Sequence, residues 1–304
     1  MANAASPPDR IDTADGLTLR TAISAETEVF ARFFAGYDKA FVLPNEKEDE
    51  AGFARCFALN SGEDYQRLSA LYGAYSEVCL VADEGEEAIG GANFIAMPID
   101  DDTVTANLNY IYIEAEARGR GNLSRLIEGV RETIAAIYPD HSRVLIFIEQ
   151  NDPFRMSAAD YKRDTSFTGL DQFDRLRIWA QRGALVVDFP YAQPPLSDDQ
   201  EADDTLVYSV LGAETPALDA CMLEAHLRRF FGVSVLKGAE LEDNQAARSQ
   251  LAGLNAACAE GGRVALLDPG RMLAALKRRA DIAKVWPENR PATFRDALRA
   301  YARP

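Results

Sequence analysis

The sequence predicts an α/β (α+β) fold in which a mixed, mostly antiparallel sheet of six to seven strands is flanked by helices and followed by a C-terminal helical extension. Three strand-like runs, 77–83, 88–97 and 104–114, are separated by turns so short that antiparallel pairing of neighbours is the simplest arrangement. A helical pattern and another apolar strand follow them, and this order requires a parallel pair with a right-handed crossover. From residue 216 the pattern is helical apart from the apolar run 263–267.

The elements before this central region are a tail, a strand and helices. Residues 1–15 are rich in Ala, Pro and Asp without periodicity, which predicts a mobile tail. Residues 17–23 alternate apolar and polar side chains, as a half-buried strand does. The apolar residues within 29–37 fall on one helical face, and 41–75 is mostly helical in pattern.

The elements after residue 114 continue with a helix over 123–137, whose apolar residues recur at helical spacing. The run 144–148 is a continuous apolar strand. A second helix ends at Gly183, a typical C-terminal cap. Strands over 184–191 and 205–211 complete the predicted sheet.

Three parts are expected along the chain: a disordered tail (1–15), one main domain (16–212) and the helical extension (213–304). Within the extension, apolar residues at helical spacing over 247–258 and 294–301 define faces that need covering. One hypothesis is therefore that these helices form a homodimer interface.

The composition excludes some classes of partner. A formal net charge of -16 opposes binding to nucleic acid, because that affinity comes largely from Lys and Arg neutralising phosphates. No apolar run approaches the roughly 20 residues of a membrane-spanning helix. Residues 1–6 lack the features of a secretory signal, so a cytoplasmic location and no membrane association are expected.

The cysteines and histidines show no metal-binding spacing. Cys56, Cys79, Cys221 and Cys258 are far apart in apolar surroundings, which predicts reduced core residues. Neither of the two histidines has a ligand-spaced partner. No metal is therefore expected.

The segment that is most informative about function joins the strand 104–114 to the helix after it. Its residues are Arg118, Gly119, Arg120 and Gly121. A pyrophosphate needs several converging N–H donors, and the first turn of a helix provides them with the positive end of its dipole. The two glycines let phosphate oxygens approach the main chain, and the arginines with Ser124 could add charge and a hydroxyl. The alternative is a turn followed by an amphipathic helix with solvated arginines.

This segment and the order of the elements around it resemble the GNAT superfamily of acetyl-CoA-dependent N-acetyltransferases, over residues 17–212. The family signature is Arg or Gln, two residues, Gly, one residue, then Gly or Ala. Arg118 and Gly121 match it, whereas Leu123 stands at the last position. The resemblance implies a GNAT-like fold, in which the strand before the signature splays from the strand after the crossover helix and pantetheine lies in the opening.

The resemblance also implies acetyl-CoA as the cosubstrate and a set of contacts to it. Main-chain groups of the strand before the signature would meet the pantetheine arm, and the signature turn would bind the pyrophosphate. An asparagine after the next strand would lie near the coenzyme. The cofactor-binding residues implied in this way are Tyr112, Ile113, Arg118, Gly119, Arg120, Gly121, Asn122, Leu123, Ser124 and Asn151.

Two catalytic groups that occur in the family are replaced in this chain. Trp179 stands where many members have a Tyr that protonates the departing thiolate, and an indole cannot act as that acid. Asn107 stands where some relatives have a basic Glu. The candidates for the base are Glu149 and Glu114, and we favour Glu149 because it follows an apolar strand, where partial burial raises a carboxylate pKa. The alternative is a carboxylate that holds a neighbouring Arg or amide.

The acceptor side of the site is less defined. Tyr161, Tyr191 and Gln193 lie in predicted loops that would border it, and they are candidate substrate-binding residues. Packing or turn formation is the alternative for each of them. The acidic run 46–50 falls where relatives build the acceptor pocket, so it could attract an ammonium group or simply begin a helix.

Two functional hypotheses follow. The first is an N-acetyltransferase that moves an acetyl group from acetyl-CoA to a primary amine. The acceptor would be a peptide or a small molecule, and the small molecule could be cationic. Transfer would be direct in a ternary complex, with a strand N–H near Ile113 stabilising the oxyanion. The second is a noncatalytic acyl-CoA-binding or regulatory module, because the usual Tyr and central-strand Glu are absent.

Overall fold

One ten-stranded sheet organises the chain in the computed structural model, which describes residues 3–41, 47–195, 200–278 and 291–302. The strands are β1 (Arg10–Asp12), β2 (Thr18–Ala22), β3 (Ser76–Glu84), β4 (Glu87–Pro98), β5 (Thr103–Ile113), β6 (Arg143–Asn151), β7 (Leu185–Val187), β8 (Leu206–Leu211), β9 (Ala217–Asp219) and β10 (Arg263–Leu267). Their spatial order is β1-β2-β3-β4-β5-β6-β8-β7-β10-β9. All neighbours are antiparallel except β5 and β6, which are parallel.

Helices cover both faces of this sheet. They are α1 (Glu28–Ala40), α2 (Glu50–Ala58), α3 (Gly62–Tyr72), α4 (Asn122–Ile137), α5 (Ala158–Thr168), α6 (Gln172–Ala180), α7 (Ala220–Phe230), α8 (Gln245–Ala259), α9 (Gly270–Arg278) and α10 (Phe294–Ala302). Because side chains alternate along a strand, Val78 and Leu80 pack in the cluster under α4, whereas Cys79 and Val81 pack under α1. Of the helices in the described residues, none is both long and apolar enough to cross a membrane.

The predicted fold class is confirmed. The sheet is mixed and mostly antiparallel, and α4 forms the crossover between the parallel strands β5 and β6. The sheet has ten strands rather than six to seven. The reason is that β1 and β9 are only three residues long, too short to show alternation, while β10 comes from the predicted extension.

The expectation of a mobile tail over residues 1–15 is corrected for the described residues. β1 extends the sheet by pairing with β2. Ala4 is buried, and the main-chain oxygen of Ala5 accepts a hydrogen bond from Ser76 Oγ at 2.6 Å. The free edge of β2 offers unpaired main-chain groups, so a short segment without periodicity is ordered by pairing with it.

The C-terminal extension shares the main core instead of standing apart from it. β10, the predicted apolar run, pairs with β7 and with β9 and so joins the sheet. On α7, Leu223 and Leu227 belong to the same buried cluster as Ile95 and Phe147 of the central strands. α7 is thus covered within the chain, and the boundary at residue 212 does not separate two cores. Dimerisation stays a prediction.

The expectation of four reduced cysteines is wrong for one pair. Cys221, at the start of α7, forms a disulfide with Cys258, near the end of α8. Two helices packed against each other bring these ends together although 37 residues separate them. Cys56 and Cys79 are free and buried, as expected.

Replacing Cys221 by Ser is expected to lower the free energy of unfolding by about 2–4 kcal/mol, because the disulfide restricts the unfolded chain. Urea unfolding of the oxidised protein and of Cys221→Ser measures the loss. Reduction of the unmodified protein should give the same loss and should leave the variant unaffected. Equal stabilities of the oxidised and reduced protein would refute the disulfide's contribution.

Candidate functional site

The two parallel strands diverge in the middle of the sheet. β5 and β6 pair only as far as Leu108 and Ile148. Beyond this point β5 stays paired with β4 as far as Ile113, and β6 stays paired with β8 as far as Asn151. A slot therefore opens between 109–113 and 149–151, which is the splayed arrangement that the resemblance implies.

The start of α4 lies after the end of β5 and carries unpaired donors. The N–H groups of residues 119 to 123 donate to no acceptor among the described residues, whereas Ser124 N–H donates to Gly121 O at 3.0 Å. Gly119 and Gly121 have φ values of 76° and 79°, which favour glycine. A Cβ at either position would meet nothing within 4 Å, so the space beside this turn is open. Converging N–H groups at a helix N-terminus form an anion site.

The predicted charged side chains at this turn differ in their freedom. The guanidinium of Arg120 is bound by the Glu87 carboxylate and by a main-chain oxygen. Arg118 is exposed, and in the described parts of the chain its side chain makes one hydrogen bond, from Nε to Ile113 O at 3.2 Å. Arg118 is therefore the guanidinium that a bound anion can recruit most easily.

The remaining predicted residues of the turn have separate positions. Asn122 is buried, and its Nδ2 donates to Ala117 O at 2.9 Å, which fixes the turn. Ser124 is exposed. Leu123, which replaces a small residue of the family signature, packs against the apolar cluster under α4. Its side chain is therefore accommodated by the core.

A cavity of about 190 Å³ lies where β5 and β6 diverge. Four of the residues singled out from the sequence line it: Glu149, Asn151, Gln193 and Glu48 of the acidic run 46–50, whose residue 46 lies outside the described residues. Its other lining residues are Phe41, Phe53, Cys56, Glu77, Asn93, Asn109, Tyr110, Gln150, Arg175, Asp203, Leu206, Phe230, Ser234 and Val235.

Two of the predicted substrate contacts do not line this cavity. Tyr191 is buried behind it, stacked on Tyr208, and its hydroxyl donates to Glu149 Oε1. Tyr161 lies on α5, where its hydroxyl is bonded to Asp171. Tyr191 thus acts on the cavity through Glu149, whereas the structure places Tyr161 outside the cavity lining.

Glu149 lies at the end of β6, on the cavity wall. It is partly exposed and lines the cavity. Burial raises the pKa of Glu149 to about 7, although hydrogen bonds from Tyr191 and Asn107 act in the opposite direction. A carboxyl group with this pKa exchanges protons readily near neutral pH, as a general base must.

A second buried carboxylate, Glu77 of β3, was missed by sequence analysis. It accepts hydrogen bonds from Asn93 Nδ2 at 2.8 Å, Asn109 Nδ2 at 3.0 Å and Ser234 Oγ at 2.6 Å. Burial raises its pKa to about 7 as well, against the effect of these donors. A signal was present, because strand alternation puts Glu77 on the same face as Cys79, where an apolar residue is expected.

The two carboxylates are joined by asparagine side chains. Asn107 Nδ2 donates to Asn109 Oδ1 at 3.0 Å, and Asn109 Nδ2 donates to Glu77. Asn107 is also hydrogen-bonded to Glu149. Asn107, noted in the sequence for its inability to act as a base, is instead the link between the two acidic groups.

A buried histidine fixes the orientation of Asn107. Tyr208 donates its only hydroxyl proton to Asn107 Oδ1 at 2.9 Å, so His226 Nε2, at 2.7 Å, must donate to Tyr208. His226 Nδ1 then accepts from Thr105 Oγ1 at 2.9 Å. Burial lowers the pKa of His226 to about 3, so the ring is neutral and this arrangement holds across the physiological pH range.

The charges that line the cavity are mostly negative. Glu48 is paired with Lys237 at 2.6 Å, and Arg175 is paired with Asp164 at 2.9 Å. Neither Glu77 nor Glu149 has an ion-pair partner in the described parts of the chain. The cavity is therefore suited to a positively charged ligand. Within the same parts of the chain, no group of three or more His, Cys, Asp or Glu residues is placed to hold a metal ion.

Comparison with known proteins finds similarity only at the level of solved structures. No protein-family model and no curated protein matches the sequence. One similar structure is that of a protein described as an acetyltransferase of the GNAT family from Bacteroides thetaiotaomicron. It has 14% sequence identity and a TM-score of 0.44, over 69% of this chain and 93% of that chain. A GNAT family acetyltransferase from Elizabethkingia anophelis with acetyl-CoA bound has 11% identity and a TM-score of 0.32, over 66% and 99%.

A third similar structure is the diaminobutyrate acetyltransferase from Paenibacillus lautus, at 13% identity and a TM-score of 0.32, over 64% of this chain and 94% of that chain. Because these identities and TM-scores are low, the fold is established by the strand order of the chain itself. The crossover helix α4 and the divergence of β5 from β6 are features that the resemblance noted in the sequence implies.

The free energy of unfolding of the unmodified protein is expected to fall as pH rises, and replacing Glu77 or Glu149 by Gln should remove that carboxyl group's part of the fall. Both carboxyl groups have pKa values near 7 in the fold against an ordinary value of 4.5, so the native state binds more protons between these pH values. The free energy of unfolding then falls with rising pH in this window, by about 1.4 kcal/mol for each unit of pKa difference. Urea unfolding from pH 4.5 to 8 measures it.

The variants are the control for other titrating groups, since only the difference between protein and variant reports on one carboxyl group. This difference should be largest in the protein's favour near pH 4.5 and should level off above pH 7. A difference that stays constant over the whole range would contradict the assigned shifts.

Proposed function

We propose that this chain is an N-acetyltransferase that moves an acetyl group from acetyl-CoA to a primary amine of a small-molecule or peptide acceptor, by direct transfer in a ternary complex. The observation that carries the proposal is the divergence of β5 from β6 after Leu108 and Ile148: the cavity with Glu149 lies where the strands part, and the unpaired N–H groups before α4 follow the end of β5. Acetyl-CoA supplies the acetyl group as a thioester. The chain supplies binding, orientation and proton transfer.

The coenzyme end of the proposed site is the turn 118–124. Its unpaired N–H groups bind the pyrophosphate, and Arg118 turns from its single main-chain contact toward the phosphates. Tyr112 and Ile113 present unpaired strand edge to the pantetheine arm, because β5 has no partner on the β6 side there. Asn151, at the end of β6, lies across the slot.

The acceptor end of the proposed site is the cavity, where Glu149 takes a proton from the acceptor ammonium. The neutral amine nitrogen then forms a bond to the thioester carbon, and a main-chain N–H of β5 within 109–113 stabilises the oxyanion. When the C–S bond breaks, the nitrogen gives its second proton to the departing sulfur. This route requires no acidic side chain at Trp179.

The second candidate function is a noncatalytic acyl-CoA-binding module. The observation that favours it is that Glu149 already accepts hydrogen bonds from Tyr191 and Asn107. Release of free thiol from acetyl-CoA, measured with a panel of primary amines, separates the two functions. Steady turnover with any amine excludes the noncatalytic module, and tight acetyl-CoA binding without thiol release would exclude the enzyme.

Replacing Gly121 by Leu is expected to weaken acetyl-CoA binding by more than roughly tenfold, because the side chain enters the open space beside the anion-binding turn. Isothermal titration calorimetry measures the affinity. Gly261→Leu is the matched control, since Gly261 also has a positive φ of 67° and open space at its Cβ. The proposed coenzyme site would be wrong if both variants kept the affinity of the unmodified protein.

Replacing Glu149 by Gln is expected to lower kcat by roughly 10²- to 10⁴-fold, because the amine then lacks its base. The unmodified enzyme should lose kcat/KM as pH falls below about 7, where Glu149 becomes protonated, and the variant should lack this dependence. Glu114→Gln, at the other candidate base, is the control and should change kcat little. A normal kcat in Glu149→Gln with the same pH profile would remove Glu149 from the mechanism.

A further inference from the structure

The cavity contains a carboxylate for which the proposed transfer has no use. Glu77 lines the cavity but belongs to β3, whereas the thioester would lie between β5 and β6. It is 1% exposed, and three donors occupy three of its roughly four acceptor positions. Among the described residues, one acceptor position on the Glu77 carboxylate is therefore left without a donor.

Glu77 forms no ion pair within the described residues. Lys237 is the positive group that acts on it, but the Lys237 ammonium is paired with Glu48 at 2.6 Å. A buried charge without an opposite charge is unfavourable, and a bound cation relieves this cost. A positively charged ligand group at this site would therefore compensate the charge of the Glu77 carboxylate.

The walls of the same cavity suit a cation in two further ways. Phe53, Tyr110 and Phe230 line it with aromatic rings, whose faces attract cations. Gln150 also lines it, and its side-chain oxygen is buried without a donor among the described residues. An ammonium group brings N–H donors for such acceptors.

From these observations we infer that Glu77 is a second ammonium subsite, and that the acceptor is a diamine or another primary amine with a second cationic group. The inference rests on the proposed function only for the choice of the amine that reacts, which is the one beside Glu149. The second cationic group binds at Glu77 and is not acetylated. Glu77 is therefore a residue that determines specificity.

The distance between the two carboxylates limits the length of this acceptor. Glu77 and Glu149 are connected through hydrogen bonds of Asn109 and Asn107. With about 3 Å for each of the three hydrogen bonds and roughly 2 Å across the amide group of Asn109, their nearest oxygens lie at most roughly 11 Å apart. A chain of about four to six carbons between two nitrogens fits this limit.

The subsite depends on the C-terminal extension. Ser234, which donates to Glu77 Oε2, lies in a π-helical segment, Phe231–Val235, directly after α7. π-helical turns occur frequently at functional sites. The extension thus supplies part of the acceptor wall, in addition to its packing against the sheet.

The test is equilibrium binding measured by calorimetry with three probes of similar size: 1,4-diaminobutane, 4-aminobutan-1-ol and pentylamine. We expect the unmodified protein to bind the diamine roughly 10- to 100-fold more tightly than either monoamine, the gain typical of a hydrogen bond to a charged group. In Glu77→Gln this preference should disappear. Glu63→Gln is the control for overall charge, since Glu63 is exposed in the first turn of α3.

Equal binding of the three probes by the unmodified protein would overturn the inference, and so would a preference that survives in folded Glu77→Gln. If Glu77→Gln does not fold, the comparison of the three probes still decides, because the amino alcohol keeps the donor and lacks the charge. Failure of the proposed function shows itself differently, as absence of acetyl-CoA binding or of thiol release with every amine. The binding preference is measured without turnover, so the two failures are distinguishable.

Discussion

The separation of β5 from β6 after Leu108 and Ile148 is the constraint on which the candidate site depends. Neighbouring strand ends with unpaired main-chain groups tend to close, because an unsatisfied N–H or C=O is costly. Here each strand is held from its outer side, since β5 continues along β4 as far as Ile113 and β6 continues along β8 as far as Asn151. The Tyr112 hydroxyl also donates to Phe33 O of α1 at 3.2 Å, on one face of the sheet. The slot is therefore a result of packing on both sides of it.

Asparagine side chains explain why two acidic groups can remain buried beside the slot. Asn109 lies at the register shift between β4 and β5, so its side chain reaches both Glu77 and Asn93. Amide donors satisfy the carboxylates without neutralising them, because an asparagine has no charge. Burial then raises the pKa of Glu77 and Glu149 to about 7. Near neutral pH, the protonated and ionised forms of each group are therefore similarly populated. A cationic ligand shifts that balance toward the ionised form.

The sequence is sufficient to predict the central elements, since long alternating or helical patterns record which face is buried. β3, β4, β5, α4 and β6 lie where the periodicity places them. The short strand β1 was not predictable, because its order comes from the edge of β2. The disulfide was not predictable either, since it depends on how α7 packs against α8. These features arise from contacts between distant parts of the chain, which local patterns do not encode.

The candidate site also has one part that a local sequence pattern encodes and another that arises from contacts between distant residues. The turn 118–124 is a continuous segment with its own chemistry, so its glycines and arginines were recognisable, whereas the acceptor cavity is assembled from separate elements. Glu77 comes from β3, and Ser234 comes from the C-terminal extension. A segment ending near residue 212 would lack Ser234, which donates to Glu77, and His226, which is hydrogen-bonded to Tyr208, the donor to Asn107. The chemistry of the acceptor therefore has to be deduced from the assembled cavity, because the residues that define its charge become neighbours only in the folded chain.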